Sequence, residues 1–165
     1  MTKWLSIDFS TKETGYAFRN PLTNEMVVGS INGGKSKDPI ERTRLIAEGI
    51  SELIEYYNLE HSFIAIEEPI ITMKTKGNIS LVRCNGYFLA MIYNKFGVGS
   101  VDIPNSKWTA YHLIKGKRPE RKAQSMAILK SYNVVPDEDI NDDKADAFCI
   151  QLVQICLLQL VVSFQ

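Results

Sequence analysis

Three strand-like segments joined by turns too short to hold a helix limit the topologies open to this chain. Leu5-Ser6-Ile7-Asp8-Phe9, Gly15-Tyr16-Ala17-Phe18 and Met26 to Ile31 are separated only by a polar Ser/Thr turn and by Asn20-Pro21-Leu22-Thr23-Asn24. Such spacing forces an antiparallel meander. After it the pattern changes. Pro39 opens a segment whose Leu45, Ile46, Ile50, Leu53, Ile54 and Tyr57 share one helical face. Phe63 to Glu67 is a short apolar strand closed by Pro69, and a helix over 78–96 leads to a strand over 98–103. A short helix around Trp108 to Leu113, a helix over 119–132, an acidic turn over 134–141 and a final helix from Asp142 complete the chain. The order βββαβαβααα predicts an α/β fold: one mixed five-stranded sheet flanked by helices, its parallel strands linked through helical crossovers.

At 165 residues this is expected to be a single domain spanning 1–165. With 45% apolar and 23% charged residues, disorder and collagen-like structure are excluded. Cys84, Cys149 and Cys156 are scattered and only two histidines are present, which argues against zinc and for a reduced, cytoplasmic setting. The first residues lack the apolar stretch of a signal peptide. From Ala147 to Gln165 no residue is charged, yet Gln151, Gln154, Gln159 and Gln165 interrupt the run. It reads as a buried core helix, with a dimer interface as a second use, and not as a membrane span.

Three acidic features stand at element ends. Asp8 lies inside an apolar strand, Glu67 and Glu68 close another, and Asp142, Asp143 and Asp146 open the last helix. Acidic residues in a first helical turn also complement the helix dipole, and a Glu pair before proline also suits a loop entry. A carboxylate between Ile7 and Phe9 has no such use. Carboxylates converging on a core resist ionising beside one another, and a divalent cation removes that penalty. Oxygen-only donors suit Mg²⁺ or Mn²⁺, and four carboxylates could hold two ions about 3.5–4 Å apart, the geometry for displacement at phosphorus.

Ile7-Asp8-Phe9-Ser10 with Gly15-Tyr16, then Ala65-Ile66-Glu67, then Asp143-Lys144-Ala145-Asp146-Ala147, resembles in order and separation the RuvC-type Holliday junction resolvases of bacteria and phages. That family belongs to the RNase H-like superfamily, and the resemblance covers nearly the whole chain. It implies an RNase H-like fold and a homodimeric, structure-selective DNA endonuclease that uses Mg²⁺ or Mn²⁺ on four-way junctions. It implies Asp8, Glu67, Asp143 and Asp146 as catalytic and metal-binding carboxylates, with Glu68 and Asp142 as neighbouring alternatives. Lys107 matches a basic residue of the family, and Glu120 to Gln124 resembles its basic helix opening. Two positions depart from the pattern: Phe9-Ser10 replaces Pro-Gly, and Ile70 stands where familiar members carry an aromatic residue. Cutting of branched DNA beyond four-way junctions is the corresponding expectation.

Zero net charge hides an asymmetry, because residues 69–135 carry +9 and the remainder −9. Lys74, Lys76, Lys107, Lys115, Lys117, Arg118, Arg121 and Lys122 are the candidate DNA contacts, since phosphate contacts position DNA without reading its sequence. Trp108, Tyr111 and Tyr87 are expected in the core more than on DNA bases. Two other functions compete: a non-catalytic branched-DNA-binding protein, and a phosphotransferase of the actin-like or sugar-kinase type suggested by the Asp8-to-Gly15 hairpin. The latter needs a second glycine-rich phosphate loop that the chain lacks.

Overall fold

The computed structural model describes residues 3–69 and 76–162, with side chains described from residue 79 to 156 in the second stretch. Strands β1 (Lys3–Asp8), β2 (Glu13–Arg19) and β3 (Met26–Asn32) form the expected meander, followed by α1 (Pro39–Tyr56) and β4 (Ser62–Glu67). Then come α2 (Lys76–Phe96), β5 (Ser100–Ile103), α3 (Asn105–Tyr111), α4 (Arg118–Tyr132), a 3-10 turn (Asp137–Asp139) and α5 (Asp142–Val162). The five-stranded sheet has the order β3-β2-β1-β4-β5, with the meander pairs antiparallel and β1-β4 and β4-β5 parallel.

Local chemistry explains the boundaries. Asp38 caps α1 by accepting from the Ile40 amide, and Pro39 occupies the first turn, where its missing N–H costs nothing. Ahead of α4, Gly116 adopts φ +99°, and a Cβ there would lie 2.0 Å from the Glu120 carboxylate, which accepts from the Lys117 amide. Glycine lets the basic loop turn into that helix.

Alternation sends the two faces of each central strand into different cores. Leu5, Ile7, Phe18, Ile64 and Ile66 pack with Ile46, Ile50, Ile54, Phe88 and Ile92 of α1 and α2. Ala65 packs with Trp108, Cys149 and Ile150, and Ala17 with Leu129 and Phe148, on the α3–α5 side. On this second face Ser6, Gly15, Ala17 and Ala65 are small, which lets α5 lie close against β1 and β2. Ser6 donates to Gln151 Oε1 at 2.7 Å across that contact.

The uncharged C-terminal segment is a core helix where it is described: Ala147 to Gln151, Val153 and Gln154 are buried. Among the described residues no helix is long and apolar enough to cross a membrane. Side chains beyond 156, where a dimer surface was also expected, lie outside the described residues.

Candidate active site

Asp8 is the last residue of β1 and Glu67 the last of β4, so both stand at the carboxyl end of a parallel pair, where open α/β sheets place their ligands. Both continue the alternation that faces α5. Asp8 is paired across the meander with Gly15, and a Cβ on Gly15 would fall 1.9 Å from the Asp143 carbonyl oxygen. Glycine at this one register position lets the first turn of α5 settle against the strand pair and delivers Asp143 and Asp146 beside Asp8.

The carboxylates line one cleft of about 410 Å³, together with Glu68, Asp142, Asn85, Asn105, Trp108, Arg118, Arg121 and Lys122. The Asp8 carboxyl is pushed well above the usual range, first by burial and then by the charges of Glu67, Asp146 and Asp143, with Glu67 also in hydrogen-bond reach. Burial is also the main cause for Asp146, raised to about 6, with Ser125 and Lys122 opposing the shift. Asp143 is raised by burial and then by Glu13, while Lys122 and Arg118 oppose. Water-exposed carboxyl groups far from one another would show none of these upward shifts.

The structure therefore brings Asp8, Glu67, Asp143 and Asp146 together from three elements. Glu68 is exposed at the rim and its amide donates to Ile103, while Asp142 is ion-paired with Lys122. Among the described residues no three His, Cys, Asp or Glu side chains stand close enough to form a ready-made metal cage. The donor set itself fits a hard divalent cation: it is all oxygen, it is partly desolvated, and the charges of Glu67, Asp146 and Asp143 raise the proton affinity of Asp8.

The basic candidates divide into two groups. Arg118, Arg121 and Lys122, at the start of α4, line the cleft. Lys107, Lys115 and Lys117 are exposed outside it, on α3 and the loop before α4. Lys74 lies outside the described residues, as does Ile70, and Lys76 is described by its backbone alone.

Several site residues were not anticipated as such. Asn105 Nδ2 and Trp108 Nε1 both donate to Glu67 Oε1, at 2.6 and 3.1 Å, and Arg121 Nη1 donates to Asn105 Oδ1 at 3.1 Å. Asn85, 5% exposed, lines the cleft with its Oδ1 unpaired among the described residues. Trp108 is buried as expected, but with its indole N–H on a site carboxylate; Tyr87 and Tyr111, also expected inside, are exposed. A signal for Asn105 did exist. Glu67 pairs with Ile103 in the parallel β4-β5 ladder, so the residues just after β5 emerge beside it.

The family described as DUF3882, Lactococcus phage M3 protein, matches residues 1–155. A search of curated proteins gives no significant match. Among solved structures, Thermus thermophilus RuvC in complex with a Holliday junction substrate superposes with a TM-score of 0.65 at 16% identity, covering 92% of this chain and 91% of that one. A second Thermus thermophilus RuvC structure gives 0.62 at 14% identity, with 92% of each chain covered. The Fowlpox virus resolvase complexed with substrate Holliday junction DNA gives 0.52 at 16% identity, covering 95% and 99%. These likenesses establish the fold as the RuvC-like, RNase H-like one that the motif order implied.

Proposed function

The chain belongs to the family described as Lactococcus phage M3 protein, and we propose that it is a structure-selective DNA endonuclease cutting four-way junctions and other branched DNA. The observation that carries this reading is the convergence of Asp8, Glu67, Asp143 and Asp146 at one end of the sheet, where burial and the charges of the other three raise the proton affinity of Asp8. A binding module gains nothing from four such carboxylates next to DNA phosphates. The RuvC-like fold and the junction DNA in two of its structural neighbours point to the same substrate class.

Asp8, at the centre of the four, would hold the cations together with Glu67, Asp143 and Asp146. Mg²⁺ or Mn²⁺, two ions per site, would supply Lewis-acid stabilisation of phosphorus-bound oxygen charge and a water of lowered pKa. Arg118 and Arg121 on the cleft wall would grip phosphate oxygens and orient the scissile bond. Lys107, Lys115 and Lys117 would hold flanking backbone without reading sequence. No covalent enzyme intermediate is needed, because water is the nucleophile. The single nuclease domain would act as a homodimer, whose two-fold axis matches the symmetry of a four-way junction and sets two sites on opposing strands. Its place of action would be the cytoplasm, in the host if the protein is phage-encoded. With Ile70 where familiar resolvases carry an aromatic residue, forks and flaps would also be cut.

The test is purified protein with labelled four-way junction and linear duplex of one sequence, in EDTA, Mg²⁺ or Mn²⁺. Paired, metal-dependent nicks in the junction are expected. Tight junction binding without cutting under either metal would leave a binding protein, and no binding to either DNA would overturn the proposal.

A further inference from the structure

We infer that Asn105 and Trp108 are positioning residues that fix one oxygen of Glu67, so that its other oxygen is the one presented to a divalent cation. The inference rests on the metal-dependent reading above. Glu67 ends its strand just before the chain leaves the sheet, and a glutamate there has three free torsions unless something holds it. Two donors converge on its Oε1, Asn105 Nδ2 at 2.6 Å and Trp108 Nε1 at 3.1 Å. They use both lone pairs of that oxygen and leave Oε2 as the ligating atom.

Each donor is itself held. Arg121 can only donate, and its Nη1 bonds Asn105 Oδ1, so the amide oxygen must face Arg121 and the amide NH₂ must face Glu67. Trp108 is 2% exposed, and its ring packs among Ala65, Ile103, Cys149 and Ile150. An indole N–H buried there needs an acceptor, and Glu67 is the one it reaches. Asn105 and Trp108 are three apart on α3 and so share a face of that short helix. Hydrophobic packing alone would require neither donor. Carboxylate ligands oriented by such outer partners lose about 10–100-fold in metal affinity when the partner is removed.

The measurement is Mn²⁺ binding to the full-length, EDTA-stripped protein without DNA, with free Mn²⁺ followed by EPR. Asn105→Ala and Trp108→Phe are each expected to raise the Mn²⁺ dissociation constant about 10–100-fold. In Trp4→Phe protein, where Trp108 is the remaining tryptophan, Mg²⁺ should shift the emission, and adding Glu67→Gln should remove the shift. If both single variants bind Mn²⁺ like wild type while Glu67→Gln loses it, the positioning role is overturned and the metal site stands. If Glu67→Gln also binds like wild type, both readings fall. Should Trp108→Phe not fold, Asn105→Ala decides alone, and a Trp108 emission silent to Mg²⁺ counts against the inference.

Discussion

Strands β1, β2 and β4 turn Leu5, Ile7, Phe18, Ile64 and Ile66 toward α1 and α2, and Ser6, Asp8, Gly15, Ala17, Ala65 and Glu67 toward α5 and its neighbours. The first face is filled with large apolar side chains in ordinary close packing. The second trades volume for approach: small residues let α5 come close, and the carboxylates at its upper end are pressed together at a cost in folding energy. A face optimised for stability and a face strained for chemistry share the same strands. Substitutions on the two should therefore have opposite signatures.

The largest effect is expected at the strained face. Asp8→Asn should lower cleavage about a thousandfold or more, roughly 4 kcal/mol in barrier, because no other residue occupies the centre of the cluster. Junction binding, read by gel shift in EDTA, should be kept or tightened, since a negative charge facing phosphates is removed. Near-normal cutting by this variant would show that the cluster is not the reacting centre.

The packed face should give the converse. Ile50 is fully buried on α1 in the core of the first face and does not line the cleft. Ile50→Ala should cost about 2–5 kcal/mol in urea unfolding, with the rate per folded molecule unchanged. A large fall in that rate would mean that the two faces are mechanically coupled.

How much of this difference the sequence carried depends on whether a residue's role is local. Asp8 stood out because a carboxylate inside an apolar strand has no packing use, Glu67 was singled out by the motif resemblance, and the antiparallel meander followed from connection lengths alone. Asn105 and Asn85 stayed hidden because polar residues in helices ordinarily face water and the Glu67 partner of Asn105 lies 38 residues away, while Arg121, read as a DNA contact, gave no sign that it also holds Asn105. Trp108 read as core, which it is, but nothing local says that its N–H meets Glu67. Lys122 read as one more base in a basic run, whereas its ammonium is paired with Asp142. The exposed Tyr87 and Tyr111 show the converse limit, since aromatic content alone does not say which side of a helix faces solvent.

The strain itself is measurable through pH. Asp146 is raised from 3.8 to about 6, mainly by burial. The folded protein thus holds this proton more tightly than the unfolded chain, and its contribution is fully present below pH 4 and lost as pH rises through 6. At about 1.4 kcal/mol per tenfold, that is about 3 kcal/mol lost by neutral pH. In EDTA at pH 7, Asp146→Asn should be more stable than wild type by up to that amount, and the two should converge near pH 4. Added Mg²⁺ should stabilise wild type and leave the variant nearly unmoved. A variant less stable than wild type at pH 7 would mean that the cluster is not strained.

The smallest effects belong to the basic residues, and they split by their contacts. If about five phosphates are contacted, log K for junction binding should fall against log salt with a slope of roughly −4 to −5. Lys107, Lys115 and Lys117 are exposed beyond the cleft, so replacing any one by Ala should shallow the slope by about 1 and leave the cleavage rate at saturating DNA unchanged. Lys122 differs because its charge is already spent on Asp142 and opposes the raised proton affinities of Asp143 and Asp146. Lys122→Ala should barely alter the salt slope but should destabilise the metal-free protein at neutral pH, by releasing one more uncompensated carboxylate into the cluster. If Lys122→Ala instead shallows the slope as much as Lys107→Ala, its ammonium serves the DNA and not the strained face.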